Sequence, residues 1–89
     1  MARTLCKGAE VALPVSTGTA SSLSEATVVR LVNTDTAAHT VSVVETQSGT
    51  GIGSFTMPGG SVEYLEKNPT QCVLADDAAV LGAKVGFTA

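Results

Sequence analysis

Residues 26–46, ATVVRLVNTDTAAHTVSVVET, decide the fold class. Thr27–Val32 is dense in β-branched side chains, which suit a pleated, half-buried surface. Asn33–Thr36 follows, with short polar side chains that bond to nearby backbone, as turns require. His39–Val43 then alternates polar and apolar, the period of two that marks a strand with one wet face. The stretch predicts two strands joined as a hairpin. Its first strand is apolar on both sides, with Val28 and Val32 on one face and Val29 and Leu31 on the other. Such a strand either lies centrally between two layers or turns its outer face to another subunit; the central position is expected.

Strand and turn signals continue on both sides of this stretch. Upstream, residues 1–8 read as a short strand or anchoring arm ended by Gly8. Glu10–Val15 alternates, with Pro14 confining it to an edge. Ser16–Ser24 is a polar, uncharged loop expected to extend across a neighbour. Downstream, Gln47–Gly51 reads as a glycine-rich turn and Ile52–Met57 as a strand. Pro58–Gly60 is a second turn, in which proline presets one corner and glycine supplies a positive φ at the next. Ser61–Lys67 is a strand that Asn68–Pro69 breaks. Thr70–Leu74 resumes an apolar run, Ala75–Ala78 reads as one helical turn, and Ala79–Thr88 as one or two closing strands with Val80, Val85 and Phe87 in the core. Strands recurring every 8–12 residues or so predict an all-β chain, a small antiparallel β-sandwich or barrel-like domain with an extended N-terminal arm. The 89 residues form one β domain, with 1–25 as arm or edge segment and 26–89 as sandwich body.

Composition narrows the function classes. Charged residues make up 15% of the chain against a usual ~25%, so its surface is readily covered by another protein. The net charge is -3, and the basic residues Arg3, Lys7, Arg30, Lys67 and Lys84 form no run, which excludes a nucleic-acid partner bound through phosphates. Charges interrupt the opening residues where a signal peptide would be apolar, and no stretch reaches the ~20 apolar residues of a membrane span. Cytosolic synthesis is expected, with Cys6 and Cys72 as buried thiols. A bridge between them requires the two chain ends to meet.

No chemistry stands out. His39 is the only histidine, and no nucleophile motif accompanies it. Cys6, Cys72 and His39 lack the paired spacing of a zinc site. Gly49–Gly53 lacks the Lys-Ser/Thr that would follow in a phosphate loop, and reads as a turn. Asp76 and Asp77 have no calcium-loop spacing around them. Tyr64 is a single aromatic where sugar or base platforms stack several. No catalytic, cofactor-binding or metal-ligating residue is assigned, no cofactor is implied, and an enzyme is not expected.

Five strings carry a resemblance: TVVRLVNT (Thr27–Thr34), HTVSVV (His39–Val44), GSFTMP (Gly53–Pro58), YLEKN (Tyr64–Asn68) and KVGFT (Lys84–Thr88). Together they resemble small virion proteins of tailed bacteriophages of marine and cyanobacterial hosts. The resemblance implies a non-enzymatic particle component. That component is a cement (decoration) protein bound to major capsid protein subunits, assembled in the host cytoplasm and carried as a homo-oligomer, a trimer at local three-fold axes. A small neck or tail accessory protein and a receptor- or glycan-binding appendage module are the alternatives. In the cement reading, the arm 1–25 and the loops Gln47–Gly51 and Pro58–Ser61 contact neighbours, and Arg30 forms a rim ion pair with Glu25 or Glu45.

Overall fold

A computed structural model gives the structure of residues 3–88. The chain is all-β. Its strands are β1 (Arg3–Cys6), β2 (Val11–Ala12), β3 (Val28–Asn33), β4 (His39–Val44), β5 (Gly51–Met57), β6 (Val62–Glu66), β7 (Cys72–Ala75) and β8 (Val80–Thr88). They form two antiparallel sheets facing each other across a shared core, a small β-sandwich. One sheet runs β1-β8-β3-β6, with β2 beside β1 along the same edge of β8. The other runs β5-β4-β7. The only helical segment among the described residues is a 3-10 turn at Thr17–Thr19, so no helix there is long enough to cross a membrane.

The expected hairpin does not form. β3 pairs with β6 and β8, whereas β4 pairs with β5 and β7, so residues 34–38 carry the chain from one sheet to the other. Asn33 explains the crossing. Alternation along β3 turns Val29, Leu31 and Asn33 inward, and the Asn33 side chain is fully buried. Its amide nitrogen donates to the carbonyls of Ala37 and Met57, both at 2.9 Å, while its side-chain oxygen accepts from the Asp35 amide at 3.0 Å. One side chain thereby holds the β3–β4 crossing and the β5–β6 corner. The Pro58–Gly60 turn closes the same corner: the Gly60 amide donates to the Asn33 carbonyl at 2.9 Å, and φ at Gly60 is +75°. A Cβ on Gly59 would strike the Thr36 carbonyl oxygen. Among the described strands, only β4 and β5 are both consecutive in sequence and paired.

Small side chains make the core. Leu13, Leu23, Ala26, Val29, Leu31 and Val41 are buried with Met57, Val73, Ala75 and Val80 between the sheets. On β8, Gly82 leaves a flat strip. A Cβ there would lie 2.8 Å from a methyl of Leu13 and 3.2 Å from methyls of Leu23 and Leu31, so the leucines pack on its backbone.

The leading residues contribute to this body. β1 lies exposed along the β8 edge, but Leu13, Ala20 and Leu23 are buried. Within the polar stretch Ser16–Ser24, Ala20 and Leu23 fold onto their own chain, while residues 16–19 are exposed. Ser21 bridges Val73 of β7, and Leu23–Ser24–Glu25 turns left-handed at φ of 53°, 59° and 55°. That backbone costs non-glycine residues roughly 1–2 kcal/mol each. It is held by the hydroxyls of Ser21 and Ser22, which accept from the Leu23 and Glu25 amides at 3.0 and 3.1 Å, and by burial of Leu23.

Other expectations are corrected. Residues 76–79 form a turn, not a helical turn, because Ala75 already belongs to the β7 ladder and the Asp77 carboxylate accepts from the Ala79 amide at 2.8 Å. Residues 80–88 form one strand. Cys72 is buried but Cys6 is exposed on the edge strand β1, and both are free thiols. Phe87 lies half-exposed near the end of β8, outside the core. The loop at 47–51 binds its own chain, with the Ser48 amide donating to Thr17 and the Gln47 amide nitrogen to Ala20. Finally, β3 is central in its sheet but not between two layers. The second sheet covers one face, and no layer of the described residues covers the other.

Two stability outcomes follow. Asn33→Ala orphans buried carbonyls and lowers unfolding free energy by about 2–4 kcal/mol, read as a lower urea midpoint; an unchanged midpoint would contradict the role given to this amide. Ser24→Gly relieves one left-handed residue and raises stability by about 0.5–1 kcal/mol in the same assay. A loss there would contradict the strain.

Candidate functional site

Two places on the surface stand apart. The first is the outer face of the β1-β8-β3-β6 sheet. Cross-strand partners share a face, so Val28, Arg30 and Val32 stand beside Glu66, Tyr64 and Val62 on β6, and beside Ala83 and Leu81 on β8. Apart from Arg30 and Glu66 these are apolar or aromatic. The Tyr64 and Phe87 rings tilt against each other with centroids 5.3 Å apart, although they are 46% and 50% exposed. The Tyr64 hydroxyl meets the Thr4 hydroxyl at 3.3 Å; that bond, with Arg30 nearby, holds the phenol below its ordinary pKa. Ala83 and Val85 lie on this face by alternation and are only 6% and 5% exposed, yet belong to neither buried cluster between the sheets. The sheet's own side chains thus form an apolar patch on its back, with no further element of the described residues over it. Arg30 pairs there with Glu10 at 3.3 Å, and not with Glu25 or Glu45, because Glu10 precedes β2 on the same sheet.

The second place is where the β3–β4 crossing meets the β7–β8 turn. His39 opens β4, with its Nε2 2.9 Å from an Asp35 oxygen and its Nδ1 2.9 Å from an Asp76 oxygen. The Nε2 contact is a hydrogen bond with Asp35 and Nδ1 faces the Asp76 carboxylate, so both neighbours favour the protonated ring. The bond to Asp35 is the main cause that raises the His39 pKa above its ordinary 6.5, with the charges of Asp76 and Asp77 adding to it. The same bond, with the Thr36 and Ala37 amides, lowers Asp35 below 3.8. Asp35, His39 and Asp77 offer ligand atoms within 4.8 Å of one another, and a cation bound there would have to displace the imidazolium proton.

The structure gathers what sequence spacing separated. In the sequence His39 and Asp76–Asp77 stand apart and Asp35 reads as a turn residue; they converge because both loops lie at one end of the sandwich. Cys6 and Cys72 lie on different sheets and join neither each other nor His39. Gly49–Gly53 spans the β4–β5 turn and the start of β5. Lys67 was not singled out, yet it is buried, and its ammonium donates to the carbonyls of Ala26 and Asn68 at 2.7 and 3.4 Å. Burial pulls its pKa below the ordinary lysine value. It fastens the chain leaving β6 to the residue that precedes β3 by two positions. Comparison with protein-family models, curated proteins and solved structures finds no match.

The histidine bridge sets a pH dependence. A raised folded pKa contributes stability that is complete below about 6.5 and is lost as pH rises through the folded value; the lowered Asp35 contributes stability above 3.8 that is lost as pH falls through its folded value. The melting temperature of the wild type therefore falls between neutral and alkaline pH more steeply than that of His39→Asn. Parallel curves for the two proteins would contradict an imidazolium bridge.

Proposed function

We propose that this protein is a non-enzymatic structural component of a tailed-phage particle, a cement protein that binds major capsid protein subunits on the assembled shell. One observation carries the reading: a sheet whose outer face displays Val62, Tyr64 and Phe87 half-exposed above nearly buried Ala83 and Val85. Contiguous apolar surface of this kind marks contact sites on small proteins. The low charge and the five strings that resemble phage virion proteins support the same assignment.

The mechanism is linkage. A protein that binds the assembled lattice and not the free subunit adds its binding free energy to the shell, multiplied over symmetry-related copies. The sandwich supplies a rigid body, and the outer face supplies the contact. A standard interface takes about 800 Å² from each partner. The broad face of a molecule with Cα extents of 35 × 30 × 20 Å is of that size.

Counting copies in purified particles tests the assignment. Hundreds per particle agree with cement, six or twelve shift the protein to neck or tail, and none rejects the virion role. In the cement case Tyr64→Asp and Phe87→Asp, at half-exposed positions, lower particle occupancy while leaving the free protein folded. Undiminished occupancy would remove this face from the contact.

A further inference from the structure

The sheet edges of the molecule are not protected alike. Native proteins guard open edges with charge, proline, a bulge or a covering segment, since an unpaired strand invites another. β1 is bounded by Arg3 and Lys7, and β6 carries Glu63 and Glu66. The open side of β7 is covered by Ser21, which exchanges two backbone hydrogen bonds with Val73 at 2.8 and 3.1 Å. β5 has no charge, proline or covering segment, and its one guard is a bulge at Ile52. It pairs with β4 on one side only, contains no proline, and lies within residues 46–62, which carry no charged side chain. The bulge sets Ile52 as an extra residue between Gly53, which pairs with Val43, and Gly51, which pairs with Val44, and it leaves Gly53–Met57 regular.

The side chains of β5 are also unevenly distributed. Phe55 and Met57 face the core, with Phe55 only partly buried. Gly53, opposite Val43, shares that face, and a Cβ there would meet nothing within 4 Å. The regular part of the strand is thus bulky at Phe55 and empty at Gly53. Antiparallel pairing of β5 with its own copy, centred on Ser54, sets Phe55 opposite Gly53 of the second molecule. Each copy's Phe55 then covers the other's open Gly53. On the outer face the same register sets Ser54, which is exposed, opposite itself.

We propose that β5 is a homotypic pairing edge, through which two copies join about a two-fold axis at Ser54 into one continuous sheet, β7-β4-β5-β5-β4-β7. The occupant is a second copy because the strand is complementary to itself: backbone groups pair in both directions, and bulk meets gap twice. This pairing differs from the three-fold trimer that the resemblance implies, and it does not rest on the virion reading. A monomer found in particles would end the pairing and leave that reading standing; a dimer absent from particles would do the reverse.

Light scattering on size-exclusion fractions across a concentration series tests it, using Ser54→Lys and Ser54→Asp. Ser54 is exposed, so both variants keep the β circular-dichroism spectrum. The wild type is expected at twice the 8.9 kDa chain mass, and each variant alone at the monomer mass, because like charges face each other across the axis. An equimolar mixture of the two variants is expected to restore the dimer. A wild type that stays monomeric up to its solubility limit, a trimer, a dimer indifferent to Ser54→Lys, or a mixture that stays monomeric would each overturn the pairing.

Discussion

A strand has two faces and a two-layer sandwich buries one of them. That constraint, applied to β3, shapes the rest of the molecule. Once Val29, Leu31 and Asn33 point between the sheets, alternation forces Val28, Arg30 and Val32 to the back. No strand or helix of the described residues packs over them. The chain lays Tyr64, Phe87 and the Arg30–Glu10 pair across the back of the sheet, which leaves Ala83 and Val85 nearly buried and the aromatics half-exposed. The surface that supports a role in assembly is thus the geometric consequence of how the core is made.

The core is held by few polar contacts, each placed where the chain changes sheet. The Asn33 amide serves the β3–β4 and β5–β6 crossings, and the Lys67 ammonium ties the start of the β6–β7 crossing to Ala26. His39 joins the β3–β4 crossing to the β7–β8 turn. A sandwich of Val, Ala and Leu side chains gains little from any one of them, so the corners require hydrogen bonds to fix a single topology. Buried donors of this kind are costly to leave unpaired, and the buried side-chain polar atoms of the described residues all find partners.

The all-β class was legible because β-branched residues and turn signals alternate along most of the chain, and the bounds of β4 and β5 fall close to the pattern. Topology was not legible. Asn33–Thr36 reads equally well as a hairpin turn or a sheet crossing, and the difference lies in the partners of the Asn33 amide, which are up to 25 residues away. The burial of Leu23 rests on a left-handed backbone that no propensity favours at Leu, Ser and Glu. Phe87 reads as a core residue of the closing strand, yet alternation along an unbroken β8 puts it on the back. The histidine cluster was invisible for the same reason as the topology: Asp35, His39 and Asp76 meet only after two loops come to one end of the sandwich. The two apolar faces of β3 were visible throughout, and of the two readings they allowed, the structure leaves the back face without a layer of its own.

The open back face is the claim on which the proposed function depends, and hydroxyl-radical footprinting addresses it most directly. Oxidation of Tyr64 and Phe87 is measured by mass spectrometry in the free protein and in intact particles that contain it, with Ile52 and Val15 as further exposed reporters. Strong labelling of both aromatics in the free protein and their protection in the particle is the predicted result. Equal labelling of the two in both states would show that the face is not a contact.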